Sequence, residues 1–152
     1  MSRTAPRRAV AADARPLADL WLASYTAGLP TVRRAHPDDE VRAWFADHVL
    51  PAMETWVVDG PDGPLGLLVL APGWIEQLYV APEAWGRGIG RELLALARDR
   101  SPAGLQLWTF QVNRRALAFY AAAGFVEVER TDGSGNEERE PDVRLAWAPP
   151  PG

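Results

Sequence analysis

The 152-residue sequence contains no cysteine and no lysine, and these two absences exclude several kinds of chemistry. Without cysteine there is no disulfide, no thiolate metal site and no cysteine nucleophile. Without lysine there is neither a Schiff-base mechanism nor the phosphate-binding lysine of a P-loop. All 16 basic residues are arginines, and the only two histidines show no metal-ligand spacing with carboxylates. We therefore predict that the protein binds no metal.

Long apolar runs and an excess of positive charge are also missing. No stretch approaches the roughly 18 apolar residues of a membrane-spanning helix, and no apolar block follows the basic N-terminal residues. We expect no membrane association, no signal peptide and a cytoplasmic location. The net charge of −4 argues against nucleic acid as the main partner. Length and the 47% hydrophobic share predict a single domain over residues 1–152, with loose ends at 1–6 and 149–152.

The spacing of apolar residues predicts an α/β fold with a mixed sheet flanked by helices. A strand over 8–12 precedes a helix over 14–26, for which Asp13 is the expected N-cap, and a second helix over 38–50 ends at Pro51. Further helices are predicted over 88–100 and 114–123, and further strands over 54–59, 65–71, 74–80, 105–110, 125–131 and 143–148.

A glycine-rich loop, VAPEAWGRGIGREL over residues 80–93, lies between a predicted strand and a predicted helix. A helix N-terminus attracts anions through its unpaired N–H groups, and glycine lets the backbone approach them closely. Arg87 and Arg91 add guanidinium groups suited to phosphate. The dinucleotide fingerprint G-x-G-x-x-G fails, because arginine and leucine occupy positions 91 and 93. The loop alone indicates phosphate or pyrophosphate binding, with a plain glycine-rich connection as the alternative.

A second stretch, NRRALAFYAAAGF over residues 113–125, follows the loop at a fitting distance. Together the two stretches resemble the GNAT superfamily of acyl-CoA-dependent N-acetyltransferases. The family's coenzyme signature R/Q-x-x-G-x-G/A maps onto residues 85–90, with tryptophan at its first position. The later pattern N-x-x-A-x-x-F-Y-x-x-x-G-F matches Asn113, Ala116, Phe119, Tyr120, Gly124 and Phe125. The resemblance covers nearly the whole chain and implies the GNAT fold, a mostly antiparallel sheet of about seven strands flanked by about four helices.

The resemblance implies an enzyme that moves an acetyl group from acetyl-CoA directly to a primary amine of a small molecule or peptide. The implied coenzyme contacts are Leu78, Tyr79, Val80, Trp85, Gly86, Arg87, Gly88, Ile89, Gly90, Arg91, Asn113, Ala116, Phe119 and Tyr120. Among them, the Val80 N–H is the implied donor to the acetyl carbonyl. Tyr120 is the implied general acid for the leaving thiolate, with a core tyrosine as the alternative.

The general base is assigned to Glu76, acting through water, because this residue lies in the strand that is implied to bind the acetyl group. In an unbroken strand Glu76 would share a face with Leu78 and Val80. A surface glutamate is the alternative. Some relatives carry a glutamate in the next strand, where this chain has Trp108.

The acceptor is implied to lie between the first two helices and the later strands. The candidate contacts there are Trp21, Tyr25, His36, Trp74 and Trp108, whose rings can supply contact area or, for histidine, a proton relay. An exposed or capping role is the alternative for His36. The acidic loop over residues 131–142 either reaches over the acceptor site and attracts a cation or is simply solvated.

Two other classes of function stay open at this point. The same fold can serve as a non-catalytic acyl-CoA-binding or regulatory module, and a nucleotide-binding α/β protein is the third reading. Acceptor-dependent release of thiol from acetyl-CoA separates an enzyme from both. Since dimers are frequent in the family, a homodimer is an expectation of the resemblance alone.

Overall fold

A computed structural model of the chain describes residues 5–151. The ends predicted to be loose, residues 1–6 and 149–152, therefore fall partly outside the described residues. Residues 149–151, which are described, have no regular secondary structure.

Seven strands form one sheet within residues 5–151: β1 (Arg7–Arg8), β2 (Glu54–Gly60), β3 (Gly63–Ala71), β4 (Trp74–Val80), β5 (Leu105–Phe110), β6 (Val126–Arg130) and β7 (Asp142–Trp147). Their spatial order is β1-β2-β3-β4-β5-β7-β6. Neighbouring strands are antiparallel except for β4 and β5, which are parallel. The prediction of a mixed, mostly antiparallel sheet is confirmed.

Four helices accompany the sheet in the described part of the chain: α1 (Ala14–Gly28), α2 (beginning as Asp38–Trp44), α3 (Ile89–Arg100) and α4 (Arg114–Ala122). The prediction that Pro51 ends α2 is wrong, because α2 continues as a π-helical stretch, Phe45–Val49, and a last turn, Leu50–Ala52. Pro51 has no N–H to donate to the preceding turn, and the change from α to π geometry occurs in that turn. None of the helices described is long and apolar enough to cross a membrane.

The start of the chain also differs from the prediction. β1 is shorter than the expected strand over 8–12, since Ala11–Asp13 form a 3-10 turn. Asp13 does not cap α1 through its side chain. Its carboxylate instead accepts hydrogen bonds from the Val10 N–H at 2.7 Å and from the Arg7 guanidinium at 2.9 and 3.0 Å. The ion pair with Arg7 lowers the pKa of Asp13 and holds this carboxylate away from the helix end.

Close packing of α3 on β3 fixes the position of the glycine-rich loop. A Cβ at Gly66 of β3 would lie 2.8 Å from Cγ2 of Ile89 and 3.0 Å from Cδ1 of Leu93. Both of these α3 side chains are fully buried. Glycine at position 66 therefore lets the first turns of α3 lie directly on the sheet, beside the end of β4.

The strands β4 and β5 pair only at their beginning. Their one registered pair within the described residues joins Trp74 to Gln106. Beyond this pair the edge of β4 that faces β5 has no neighbouring strand. The divergence leaves an opening in the middle of the sheet at the C-terminal end of β4.

A β-bulge interrupts β4 at Glu76. Residues Ile75 and Gln77 pair with consecutive residues of β3, so Glu76 has no partner in that strand. The register places Ile75, which is buried, on the same face as Leu78. Glu76 itself is exposed. The bulge therefore breaks the regular alternation from which Glu76 was expected to share a face with Leu78 and Val80.

Candidate active site

A cleft of about 310 Å³ lies between the end of β4, the glycine-rich loop and the start of α4. The predicted coenzyme contacts that line it are Leu78, Tyr79, Val80, Trp85, Gly86, Gly88, Ile89, Gly90, Arg91, Asn113, Ala116, Phe119 and Tyr120. Arg87 is the one predicted coenzyme contact that does not line the cleft, and its side chain is exposed in the loop. Residues that are separated by up to 42 positions in the chain thus meet at one cleft.

The loop has the backbone shape of an anion site. Gly86 and Gly88 adopt left-handed conformations, with φ of +79° and +84°, which residues with a side chain rarely take. A Cβ at either position would meet no protein atom within 4 Å, so the space in front of the loop is open. Gly88 is also the N-cap of α3 and supplies no side-chain cap. The free N–H groups of the first turn and this open space fit a phosphate group.

The start of α3 packs against Phe119, in the second half of α4, beside the cleft. A Cβ at Gly90 would lie 3.3 Å from Cε1 of Phe119, so only glycine allows this approach without displacement. The side chain of Asn113 accepts a hydrogen bond from the Ala116 N–H at 3.1 Å. Asn113 therefore caps α4 through its side chain.

Val80 turns its backbone polar groups into the opening between β4 and β5. The Ala81 N–H donates to the Leu65 carbonyl at 2.8 Å, so the alternation of an antiparallel pair directs the N–H and C=O of Val80 away from β3. The Val80 carbonyl accepts from Oγ of Ser24 and from Nε1 of Trp85, both at 2.9 Å. The N–H of Val80 faces the same side and is therefore directed into the opening.

Tyr120 lies at the inner wall of the cleft and is 6% exposed. Its ring packs between those of Phe119 and Phe125, with centroid distances of 5.0 and 5.2 Å. Burial, with a smaller contribution from Tyr79, raises the pKa of the Tyr120 hydroxyl. The hydroxyl is therefore protonated at neutral pH and can act as a proton donor.

Trp21 and Tyr25 lie next to the cleft in a small aromatic cluster. Their ring centroids are 4.9 Å apart, and the Trp21 ring lies 5.9 Å from that of Tyr79. Leu29 and Phe110 also belong to the cluster. Since Tyr79 and Leu29 line the cleft as well, the cluster continues the cleft on the side of α1.

The hydroxyl of Tyr25 is buried and has no hydrogen-bond partner among residues 5–151. Burial raises the pKa of Tyr25 to about 12, with Glu138 and Glu140 contributing and Arg34 opposing. An unpartnered buried hydroxyl destabilises a fold by about 1–3 kcal/mol. This group can therefore gain a partner from a molecule bound in the cluster.

Trp74 and Trp108 do not join this cluster. Trp74 lies at the opposite end of β4 from Val80, six residues or roughly 20 Å away along the strand. Trp108 lies on β5 opposite Arg144 and is 43% exposed. The structure therefore separates these two predicted acceptor contacts from Trp21 and Tyr25.

His36 connects the start of α2 to the acidic loop over residues 132–141. Its Nε2 lies 2.6 Å from Oε2 of Glu137, and its Nδ1 lies 3.3 Å from Oε1 of Glu40. Hydrogen bonds to Glu40 and Glu137 raise the pKa of the exposed imidazole. Within the loop, the Asn136 side chain donates to the Glu140 carbonyl at 2.7 Å. No group of three or more His, Asp or Glu side chains suited to a metal occurs in the part of the chain described.

We expect the contact between His36 and Glu137 to be pH-dependent. Because folding raises the pKa of this histidine, its protonated form stabilises the folded contact fully at pH values below the unfolded pKa of about 6.5. The stabilisation is lost as the pH rises through the higher pKa of the folded protein. Titration of the His36 imidazole by NMR should therefore give a pKa above 6.5 in the wild type and a lower one in Glu137→Gln. Equal values in the two proteins would contradict this contact.

Five cleft residues were not singled out from the sequence, namely Ser24, Gly28, Leu29, Ala84 and Arg115, and Arg115 is the charged one among them. Arg115, on the first turn of α4, lies over the ring of Trp85, with its Cζ 3.7 Å from the ring centroid. The adjacent arginines at 114 and 115, which follow a helix cap, are the only sequence signal that could have pointed to it.

Comparison with known proteins gives one family over most of this structure. The model of the acetyltransferase (GNAT) family matches residues 15–125. The chain is 32% identical over 120 residues to the peptidyl-lysine N-acetyltransferase YiaC of Escherichia coli, covering 78% of this chain and 81% of that protein. It is 28% identical over 145 residues to the peptidyl-lysine N-acetyltransferase YjaB of the same organism, covering 93% and 95%.

Solved structures share the fold over almost the full length. The solution structure of apo YjaB from E. coli has a TM-score of 0.79 and 24% identity, covering 97% of this chain and 98% of that one. PaiA N-acetyltransferase from Thermoplasma acidophilum, in complex with coenzyme A, has a TM-score of 0.75 and 19% identity, covering 98% and 100%. The family match spans both the glycine-rich loop and the stretch over residues 113–125. The chain therefore belongs to the GNAT family, and it is an acetyl-CoA-dependent N-acetyltransferase.

Proposed function

We propose that this enzyme acetylates the side-chain amine of a lysine in a peptide or protein, in a ternary complex and as a single domain. The observation that carries the site assignment is the cleft that joins the open loop, the Val80 backbone and Tyr120. Bound there, acetyl-CoA supplies an activated thioester carbonyl. The names of YiaC and YjaB as peptidyl-lysine N-acetyltransferases support a lysine acceptor.

The coenzyme is held by backbone groups on two sides of the cleft. The N–H groups over residues 86–91 bind the diphosphate, which the uncapped start of α3 favours electrostatically. The pantetheine arm lies along the free edge of β4. Because N–H and C=O groups alternate sides along a strand, Leu78 and Val80 offer their backbone to this arm, whereas Tyr79 contributes its side chain.

Two groups assist the transfer of the acetyl group. The Val80 N–H donates to the acyl oxygen, where negative charge develops on attack, and such a donor typically contributes about 2.7–4 kcal/mol. Tyr120 donates its hydroxyl proton to the sulfur of the leaving thiolate, which departs as the free thiol. The acceptor enters from the side of the aromatic cluster, where the Tyr25 hydroxyl and the carboxylates of the 132–141 loop favour a cation.

Glu76 is proposed as the general base that receives the amine proton through water, because it is an exposed carboxylate on the bulge of the strand that ends at Val80. We expect Glu76→Gln to depress the low-pH limb of the kcat/KM profile by about a hundredfold, since free amine is scarcest there. The matched control is Glu83→Gln, an exposed glutamate in the turn after β4. Identical profiles for wild type and Glu76→Gln would leave bulk water as the base.

Release of free thiol from acetyl-CoA tests the proposed function. The purified protein is given lysine-containing peptides, matched peptides with arginine in place of lysine, and small amines. We expect thiol release with the lysine peptides alone, and a mass increase of one acetyl group on the lysine side chain. Binding of acetyl-CoA without thiol release for any acceptor would indicate a non-catalytic module instead. Acetylation confined to small amines or to peptide N-termini would overturn the lysine assignment.

A further inference from the structure

Trp85 forms a fixed platform at the edge of the cleft. Its indole Nε1 donates to the Val80 carbonyl at 2.9 Å, which ties the ring to the end of β4. Its backbone N–H donates to the Pro82 carbonyl at 3.3 Å, at the end of a 3-10 turn. The ring and the backbone of Trp85 are therefore each held by a hydrogen bond, immediately before the loop glycines.

Arg115 is stacked on this platform. The distance of 3.7 Å between its Cζ and the Trp85 ring centroid is that of direct contact, well inside the limit of about 6 Å for a cation–π interaction. A planar guanidinium stacks on an aromatic face and still leaves its N–H groups free at the edges. Both residues line the cleft, so the edge of the guanidinium is available to a molecule bound there.

The charge of Arg115 has no counter-charge in the fold. Among residues 5–151 it has neither a hydrogen bond nor an ion pair. Arg115 is exposed overall, but the Trp85 ring covers one face of its guanidinium, and desolvation lowers the pKa of this group. A guanidinium that is held on one face and has no protein partner can donate charge-assisted hydrogen bonds to a bound anion.

The surroundings of Arg115 select an anion over other ligands. Arg87 and Arg91 are exposed in the glycine-rich stretch, and the uncapped N-terminus of α3 adds a partial positive charge. The acidic loop, with Glu137 held to His36, lies instead beside the aromatic cluster on the acceptor side. Positive charge therefore surrounds the proposed coenzyme end of the cleft, and negative charge lies at the proposed acceptor end.

We propose that Arg115, positioned by the face of Trp85, binds a phosphate group of the coenzyme. This inference rests on the proposed placement of acetyl-CoA in the cleft. The diphosphate and the 3′-phosphate of the coenzyme share the chemistry that a guanidinium recognises, and the experiment below separates them. Arg115 is a binding residue, so its loss is expected to raise the dissociation constant and leave kcat at saturating coenzyme unchanged.

The test measures dissociation constants by isothermal titration calorimetry for wild type and Arg115→Gln. The ligands are acetyl-CoA, 3′-dephospho-acetyl-CoA and acetyl-pantetheine, which lacks both phosphate sites. A lost charge-assisted hydrogen bond should weaken acetyl-CoA binding by about tenfold and leave acetyl-pantetheine binding unchanged. The matched control is Arg114→Gln, which makes the same change of net charge one residue away, outside the cleft lining.

The pattern across ligands identifies the phosphate. A tenfold loss for both acetyl-CoA and its dephospho form assigns Arg115 to the diphosphate, and a loss for acetyl-CoA alone assigns it to the 3′-phosphate. An unchanged affinity for acetyl-CoA in Arg115→Gln, or an equal loss in Arg114→Gln, overturns the proposal. If wild type itself fails to bind acetyl-CoA, the placement of the coenzyme fails, and this result is distinct from a failure of Arg115.

A second pair of variants tests the platform. Trp85→Phe keeps an aromatic face, and we expect Arg115→Gln still to cost about tenfold in that background. Trp85→Leu removes the face, so the added effect of Arg115→Gln should shrink, as a double-mutant cycle measures. If Arg115→Gln weakens acetyl-CoA binding by the same factor in the Trp85→Leu protein as in wild type, the positioning role of Trp85 is overturned.

Discussion

Gly88→Glu is expected to abolish coenzyme binding. The side chain would project into the open space before the loop, where the structure offers no protein atom within 4 Å of a Cβ. A carboxylate about 4 Å from a phosphate charge repels it by about 4 kcal/mol at the effective dielectric of a protein surface, which corresponds to roughly a thousandfold in affinity. Calorimetric titration with acetyl-CoA measures the loss.

Gly88→Gln is the control that isolates the charge. Gly88 has φ of +84°, so both variants bear the same backbone strain, of about 1–2 kcal/mol, and nearly the same side-chain volume. We expect Gly88→Gln to retain measurable binding and Gly88→Glu to have none, with similar thermal unfolding of the two proteins. Wild-type affinity in Gly88→Glu would show that the diphosphate does not lie at this loop.

Tyr120→Phe is expected to lower kcat by about a hundredfold, the usual contribution of a positioned proton donor. Affinity for acetyl-CoA should change little, because the ring and its packing between Phe119 and Phe125 are kept. Steady-state kinetics together with a binding titration separate the two quantities. An unchanged kcat would indicate that Tyr120 is only a core residue, a role that its 6% exposure also permits.

Measurements of folding stability also separate the role of Tyr120 as a general acid from its role as a core residue. A phenylalanine at position 120 retains the core contacts, so thermal unfolding of Tyr120→Phe should match that of wild type. Tyr120→Ala, by contrast, removes a buried ring and should cost about 3–5 kcal/mol of folding free energy. A loss of turnover in Tyr120→Phe without a loss of stability therefore isolates the hydroxyl.

Local patterns were enough to predict the parts of this molecule that depend on nearby residues. The glycine positions, the Asn113 cap and the alternation of helices and strands each follow from short-range conformational preferences, which the sequence displays directly. The stretches over 80–93 and 113–125 each combine several such preferences, and the fold brings both to one cleft. That juxtaposition was implied by the family resemblance and not by either pattern alone.

Features that depend on contacts between distant residues were not predictable in the same way. Asp13 is of a residue type that commonly caps helices, but Arg7 competes for its carboxylate. The bulge at Glu76 is set by the register with β3, which no local pattern displays. The separation of Trp74 from the acceptor side depends on which end of β4 faces the opening. The contact of Arg115 with Trp85 joins two elements that are thirty positions apart.

The single registered pair between β4 and β5 divides the sheet into two halves that share few backbone hydrogen bonds. A molecule that lies along the free edge of β4 fills the gap between these halves and can bond to the edge that the fold itself leaves unpaired. The cosubstrate would then serve as an interior strand of the sheet during each turnover. Departure of the product would remove that strand again, so the rigidity of the enzyme would rise and fall with every catalytic cycle.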